Sequence, residues 1–286
     1  MLNDIGMKIE NVPILGWIAS RYRAVVRAFF ATPRRLASID VQLKISRMKD
    51  NVFIFPYGEY EMKMFLPYAG QDMMQTQIVD TGTFWESSQL EIMSAYLKRG
   101  AIVADCGANI GNHTLYFTKI CGAEKVFAFE PQSKCAEIME RNLELNGAVE
   151  CVDIQQVVLG ARSGRASVSH REAGNVGGTA FVCTDNGNYE VKTLDEYGFT
   201  KLDLLKIDAE GAHYEVLLGA KETLDRCSPA IWIEMFSESK DRDNFDYEHE
   251  VRLPHEFLKN AGYKLKEKLS EVDYLYVKND DSEKKV

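Results

Sequence analysis

The feature that most constrains the fold is a short apolar run that ends in an acidic residue and then turns through two glycines. The run begins at Ala101, the acid is Asp105, and the glycines are Gly107 and Gly111, ahead of an apolar helical pattern. This order is typical of a strand, a loop and a helix. Glycine is needed where the backbone takes a positive φ or approaches a ligand closely. The pattern therefore predicts a ligand-binding loop, the alternative being a buried strand with an ordinary glycine-rich turn.

A second predicted strand begins at Lys125 and ends in Glu130. An acid about 20 residues beyond a glycine loop suits a pair of ribose hydroxyls, which indicates a nucleoside cofactor. The dinucleotide fingerprint does not fit, because Asn109 and Asn112 stand where it requires glycine. A cofactor with an ammonium and a carboxylate fits better, since Asp105 could attract the ammonium while loop amides hold the carboxylate. S-adenosylmethionine (SAM) carries both groups.

A second stretch with chemical potential is a predicted strand from Lys201 that ends in Lys206, Asp208 and Glu210. Ionisable residues at the end of a buried strand are costly unless they are paired or functional. Residues two apart on a strand point the same way, so Lys206 and Asp208 are expected to share a face. A structural ion pair is the alternative. A further predicted strand from Ala230 also ends in an acid, Glu234.

Strands and helices alternate through most of the chain, which predicts a doubly wound α/β sheet. Ligands bind outside the carboxyl ends of such strands. The acids that fall there are Asp105, Glu130, Asp208 and Glu234. One further strand is predicted over Ile154–Leu159, and two helices are predicted, one with Ser87 or Ser88 as its N-cap and one with Ser133 as its N-cap.

The first 80 residues differ in character from the rest. An amphipathic basic helix is predicted over Pro13–Phe30, followed by a β-hairpin between Val52 and Leu66. The predicted division is an appendage over 1–80, a main domain over 81–278 and a charged tail over 279–286. The helix is expected to dock on the main domain, and the alternative is contact of residues 13–35 with an anionic membrane surface or an anionic carrier-linked substrate.

The net charge of −9 and the absence of a basic stripe argue against a nucleic-acid binder. The six cysteines are scattered without a C-x-x-C pair, which favours reduced thiols over a disulfide framework or a zinc site. No apolar run is long enough to span a bilayer, and no signal-peptide core is visible. The expected location is cytoplasmic, membrane-peripheral if residues 13–35 bind lipid.

Taken together, five short segments resemble the FkbM family of SAM-dependent methyltransferases over about residues 85–236. The segments, in chain order, are Asp105–Gly111, Phe129–Pro131, Thr193–Asp195, Leu205–Gly211 and Ile233–Glu234. The resemblance implies a Rossmann-like class I methyltransferase fold, with seven strands of which one is antiparallel near the edge. It also implies transfer of the SAM methyl group, usually to a hydroxyl oxygen of a natural product, sugar or glycan. One departure is Ala209, where the family more often has valine.

The resemblance also implies a set of cofactor contacts. Glu130 would bind the ribose, and Pro131 with the end of the Ile154–Leu159 strand would flank the adenine. Asp208 is also predicted to contact the cofactor. The methionine end would be lined by Asp105, Gly107, Ala108, Asn109 and Gly111.

Methyl transfer to a hydroxyl needs alignment and, in addition, a base or a metal that acidifies the acceptor. The predicted base or orienting group is Asp208 or Glu210, with Lys206 stabilising the oxyanion and Glu234 as a secondary candidate. Asp208 and Glu234 could hold a metal, but no His or Asp/Asn cluster in the sequence requires one, so none is predicted. The alternatives from other classes are a non-catalytic scaffold with a SAM fold and, less favoured, an NAD-dependent oxidoreductase.

Overall fold

The structure is a computed structural model that describes residues 39–171, 174–235 and 246–279. The chain divides into two compact units, residues 1–48 and 49–286. In the first unit the described residues form a helix over 39–46 (α1). The basic helix predicted over Pro13–Phe30 lies outside the described residues, as does most of the charged tail. Within the described ranges, no helix is both long and apolar enough to cross a membrane.

The described residues of the second unit form three β-sheets. The strands are, in chain order, β1 (Val52–Tyr57), β2 (Tyr60–Phe65), β3 (Ile102–Cys106), β4 (Lys125–Phe129), β5 (Val152–Gln155), β6 (Val158–Leu159), β7 (Gly164–Arg171), β8 (Thr179–Cys183), β9 (Tyr189–Lys192), β10 (Leu204–Ile207), β11 (Ala230–Glu234), β12 (Tyr263–Lys268) and β13 (Asp273–Lys278).

The largest sheet has seven strands in the order β12-β13-β11-β10-β3-β4-β5. The strand β13 is antiparallel to both of its neighbours, whereas the other pairs in the sheet are parallel. Every residue of β10 is buried, as expected for a central strand covered on both faces. The predicted doubly wound sheet, with one antiparallel strand near its edge, is confirmed.

Helices alternate with the strands of this sheet. They are α2 (Met73–Thr81), α3 (Ser87–Ser94), α4 (Asn112–Lys119), α5 (Ser133–Leu145), α6 (His213–Leu218), α7 (Lys221–Cys227) and α8 (Leu253–Asn260). Ser87 and Ser133 are the first residues of α3 and α5 rather than their N-caps. The N-cap positions are taken by Glu86 and Gln132, neither of which caps the helix through its side chain.

The hairpin β1–β2 is present where the sequence predicts it, and it is anchored to α5. Asn142 Oδ1 accepts a hydrogen bond of 2.6 Å from the Phe65 N–H, and Asn146 bonds to both the N–H and the carbonyl of Lys63. Phe55 is buried beneath the hairpin. These bonds tie β1–β2 into the same compact unit as the large sheet.

The prediction of a single strand over Ile154–Leu159 is wrong, because the structure places this segment in two strands, β5 and β6. The chain leaves the large sheet after Gln155, where the Val157 N–H donates to the Gln155 carbonyl in a tight turn. Val158 then pairs with Val191 of β9 in a separate four-stranded sheet of order β6-β9-β7-β8. This second sheet is inserted between β5 and β10 and brings its own residues to the carboxyl end of the large sheet.

Candidate active site

A cavity of about 280 Å³ lies at the carboxyl ends of the parallel strands. Four neighbouring strands each contribute a lining residue at or just beyond their carboxyl ends. These residues are Gly107 after β3, Glu130 after β4, Asp208 after β10 and Glu234, the last residue of β11. The edge at which the sequence predicts a ligand site therefore carries a cavity.

The charge of the cavity lining is one-sided. Among the described lining residues there is no lysine, arginine or histidine. The carboxylates that line the cavity are Glu86, Glu130, Asp208, Glu210 and Glu234. The cavity therefore favours ligands that carry positive charge and disfavours phosphates.

The glycine loop is held tightly between β3 and β10. Gly107 has φ +81°, and a Cβ at this position would lie 1.7 Å from the Asp208 carbonyl oxygen. The N–H groups of Gly107 and Ala108 both donate to the Phe129 carbonyl. Gly111 is similarly restricted, since a Cβ would lie 2.7 Å from Met139 Cγ. Glycine is thus required at both positions, which confirms the conformational part of the loop prediction.

Asn109 occupies the third position of the loop, with φ +50°. Its N–H donates to Glu130 Oε2 at 3.0 Å, so the loop is joined directly to the acid that follows β4. Its side-chain oxygen, Oδ1, is buried and has no hydrogen-bond partner among the described residues. A buried acceptor without a donor is costly, and this one belongs to a residue that lines the cavity.

Glu130 is 4% exposed and lines the cavity. Its other carboxylate oxygen accepts a hydrogen bond of 2.8 Å from the Gln132 N–H. Burial raises the pKa of Glu130 to about 7, and this effect exceeds the opposing one of the two N–H donors.

Asp105 does not line the cavity. Its carboxylate is fully buried beneath the loop, where Lys206 Nζ lies 3.3 Å from Oδ1 and the Thr114 hydroxyl donates to Oδ2 at 2.7 Å. Lys206 pairs with Asp105 in the register of β10 and β3. The predicted contact of Asp105 with a cofactor ammonium is therefore replaced in this structure by an ion pair that supports the loop. Ala108, Gly111 and Lys206 also lie outside the cavity lining.

Asp208 and Glu234 face each other across the cavity wall, and their proton affinities diverge. Burial alone would raise the pKa of Asp208, but Lys206, whose Nζ lies 3.3 Å from Oδ2, a hydrogen bond with Glu234 and two nearby histidines together outweigh burial, and the pKa is lowered. Burial and the neighbouring Asp208 carboxylate raise the pKa of Glu234 well above its usual range. Asp208 therefore loses its proton at a lower pH than Glu234 does, which makes Asp208 a weaker base than an ordinary carboxylate.

Lys206 itself is held in the charged state. Burial would lower its pKa, but the carboxylates of Asp105 and Asp208 more than offset this effect and the pKa is raised. Its Nζ also lies 3.4 Å from the Gly107 carbonyl. The predicted sharing of one face by Lys206 and Asp208 is confirmed.

The segment before α3 forms another wall of the cavity, beside the glycine loop and the strand ends. Glu86 adopts a left-handed backbone with φ +57°, which is unfavourable for a residue of this type and is typical of functional sites. The Asn112 side chain fixes the segment, because it bonds to both the N–H and the carbonyl of Trp85. Glu86 Oε2 lies 3.2 Å from Nε2 of the buried His113. Both Trp85 and Glu86 line the cavity.

The inserted sheet supplies the wall that sequence reasoning missed. Residues 174–179 lead into β8 and run past the glycine loop, so that a Cβ on Gly177 would lie 2.0 Å from Asn109 Nδ2. Gln132 Nε2 donates to the Val176 carbonyl, and the buried Asp72 accepts from the Val176 N–H at 2.7 Å. The one sequence signal for this wall was the glycine-rich loop at 174–178.

The strand order, the glycine loop and the acid after β4 define a class I methyltransferase fold. The sequence over residues 105–265 matches the family described as "Methyltransferase FkbM domain". Because this match spans more than half of the chain, the protein belongs to the FkbM methyltransferase family, as the sequence analysis predicts.

Two curated relatives are similar to this chain over part of their length. The methyltransferase sdnD of Sordaria araneosa is 29% identical over 166 residues, covering 45% of this chain and 63% of sdnD. The 2-O-methyltransferase NoeI of Sinorhizobium fredii (strain NBRC 101917 / NGR234) is 25% identical over 158 residues, covering 48% of this chain and 64% of NoeI. The chain thus spans slightly less than two thirds of the length of either relative.

Among solved structures, the methyltransferase FkbM of Methylobacillus flagellatus KT superposes with a TM-score of 0.46 and 17% identity, covering 85% of this chain and 59% of that one. A SAM-dependent methyltransferase of Aquifex aeolicus superposes with a TM-score of 0.40 and 17% identity, covering 68% of this chain and 89% of that one.

Proposed function

We propose that the protein is a SAM-dependent methyltransferase that transfers a methyl group to a hydroxyl oxygen of a small-molecule or glycan acceptor. The observation that carries this proposal is the junction of Asn109 and Glu130 at a cavity lined by carboxylates and by no cationic side chain among the described residues. The family supports the reaction. The name of one relative, 2-O-methyltransferase, supports oxygen as the methyl-accepting atom.

The residues of the cavity fit SAM. The buried Asn109 Oδ1 is an acceptor that needs a donor, and an α-ammonium group would supply one. A sulfonium and an ammonium against a single carboxylate give SAM a positive charge, which suits the acidic lining. The same lining disfavours the pyrophosphate of a dinucleotide, so it argues against the NAD-dependent alternative.

Each part of the cavity then has a role in holding the cofactor. The Glu130 carboxylate accepts hydrogen bonds from ribose hydroxyls, and Asn109 orients the methionine end. The apolar side chains of Pro131, Val157 and Leu159 line the cavity beside Glu130 and provide a wall for the adenine. When bound, SAM supplies the methyl group, activated on its sulfonium.

The protein's own contribution to the transfer is alignment, exclusion of water and control of one proton. The ionised Asp208 accepts a hydrogen bond from the acceptor hydroxyl and takes its proton as the oxygen is methylated. Lys206 is 3% exposed and lies behind Asp208, so it acts by orienting that carboxylate rather than on the acceptor. Glu210 lines the same wall and binds the acceptor.

The cofactor is tested by calorimetric titration of the full chain with SAM and with S-adenosylhomocysteine. Saturable binding is expected in the wild type, with at least a tenfold loss in Glu130→Gln because an ionised acceptor is removed from the ribose. Glu137→Gln is the matched control, since this exposed residue of α5 lies outside the cavity. A folded protein that binds neither compound would refute the proposal and favour the scaffold alternative.

A further inference from the structure

We propose that Asp208, His213 and Glu234 form a binding site for a divalent first-row transition ion at one end of the cavity. The sequence separates these residues, but the structure brings one side-chain ligand atom of each to within 4.8 Å of the others. They come from three elements: the end of β10, the first residue of α6 and the end of β11.

The spacing suits one ion. His213 Nε2 lies 3.9 Å from Glu234 Oε2. Ligand atoms at about 2.0–2.2 Å from a shared metal lie about 3–3.5 Å apart, so side-chain shifts of under about 1 Å close the site. His213 is 1% exposed, whereas Asp208 and Glu234 line the cavity. The ion would therefore be held from behind by the imidazole and would face the cavity on its other side.

The charges around the site give independent support. Four carboxylates other than Glu130 line the cavity, and the described lining contains no cationic side chain to balance them. Lys206 Nζ lies 3.3 Å from the fully buried Asp105 and also 3.3 Å from Asp208. When ionised, Asp105, Asp208 and Glu234 carry three negative charges against the one positive charge of Lys206, so the net formal charge matches one divalent ion.

The ligand set indicates which ions bind. An imidazole nitrogen suits Mn²⁺, Fe²⁺ or Zn²⁺ better than Mg²⁺, which prefers oxygen ligands and water. Three protein ligands leave open coordination positions, as in catalytic rather than structural sites. An acceptor hydroxyl at such a position would be acidified by the ion, so that a weak base such as the Asp208 oxygen not bound to the ion could take its proton as the oxygen is methylated.

This catalytic meaning rests on the proposed function, but binding of the ion does not. The test is a titration of the chelator-treated full chain with Mn²⁺, in which electron paramagnetic resonance measures the concentration of free Mn²⁺ after each addition. We expect one Mn²⁺ per chain, and at least tenfold weaker binding in Asp208→Asn, His213→Ala and Glu234→Gln. A hundredfold excess of Mg²⁺ should not displace the ion.

The matched control is His249→Ala. His249 lies 3.0 Å from Glu215 in another histidine–carboxylate pair, half-exposed and outside the cavity, so its loss should leave Mn²⁺ binding unchanged. Glu234→Gln preserves the side-chain shape and guards against a folding failure of His213→Ala; circular dichroism checks each variant. The proposal is overturned by the absence of saturable binding, or by binding that survives in all three site variants.

Titration with SAM in the same samples separates this inference from the proposed function. If the protein binds SAM but does not bind Mn²⁺, the metal site is overturned and the methyltransferase proposal stays in place. If the protein binds Mn²⁺ but does not bind SAM, the metal site is supported and the proposed cofactor is refuted.

Discussion

Glu130 and Asp208 line the same cavity, yet their surroundings shift their pKa values in opposite directions. Burial raises the pKa of Glu130 to about 7 although two backbone N–H groups donate to it. Asp208 is only partly buried, and Lys206 together with a hydrogen bond from Glu234 outweighs the effect of burial and lowers its pKa. One carboxylate therefore changes its charge near neutral pH, whereas the other stays ionised.

The affinity for SAM should consequently depend on pH through Glu130. Ribose hydroxyls donate to the ionised carboxylate, so below pH 7 the bound state must release a proton and the Kd should rise about tenfold per pH unit. Calorimetry between pH 5.5 and 8 measures this. Glu130→Gln should bind weakly with little pH dependence, and Glu137→Gln should follow the wild type. An unchanged pH profile in Glu130→Gln would assign the dependence to another group.

The sequence predicts that the acidic residues lie at the carboxyl edge of the sheet, but it does not predict which of their side chains point into the cavity. Glu130, Asp208 and Glu234 reach the cavity because the carboxyl ends of neighbouring parallel strands meet there. Asp105 occupies an equivalent place, yet it turns toward Lys206, which is its register partner on β10. That partner depends on strand order, and strand order requires long-range contacts that no local pattern contains. His213 was missed as a neighbour of Glu234 for the same reason.

Among the secondary-structure elements, α5 connects the hairpin to the cofactor loop. Asn142 is fully buried in α5; its Oδ1 accepts from the Phe65 N–H of β2, and its Nδ2 donates to the Ile110 carbonyl at 2.9 Å. One side chain thus satisfies backbone groups in two elements that are far apart in sequence.

Asn142→Ala should destabilise the protein by about 2–6 kcal/mol, because two backbone groups lose their partners at about 1–3 kcal/mol each. Urea unfolding monitored by circular dichroism measures the difference. Asn260→Ala, at the exposed end of α8, should change the unfolding free energy by less than about 0.5 kcal/mol. A loss in Asn142→Ala no larger than in this control would show that water replaces both bonds.

The elements with strong periodicity were predictable, and the inserted sheet was not. The helix from Ser133 to Leu145 has a clear apolar face, and the hairpin has a Tyr57–Tyr60 turn around Gly58. By contrast, β7 is largely exposed and polar, so its sequence resembles a loop, and β8 is a short apolar run that is only partly buried. Their pairing depends on partners across the insert rather than on any buried pattern within either strand.

Across the whole molecule, carboxylates that hold protons in the folded state set how stability changes with pH. Burial raises the pKa of Glu130, and burial together with the Asp208 carboxylate raises that of Glu234. The folded protein therefore binds protons more tightly than the unfolded chain does, and stability must fall as pH rises through the interval between the two pKa values. Asp208 acts oppositely, but its contribution is lost only below its ordinary pKa, at more acidic pH.

For Glu130 that interval runs from 4.5 to about 7, which corresponds to about 3 kcal/mol. We therefore expect the unfolding free energy of the ligand-free protein to decrease between pH 5 and pH 7.5. Urea unfolding at several pH values should show Glu130→Gln gaining stability relative to the wild type by up to about 3 kcal/mol over this range, because the neutral amide carries no charge to bury. Glu137→Gln should run parallel to the wild type. A constant difference between Glu130→Gln and the wild type would mean that Glu130 is already ionised at pH 5, and the pH dependence expected for SAM affinity would fail with it.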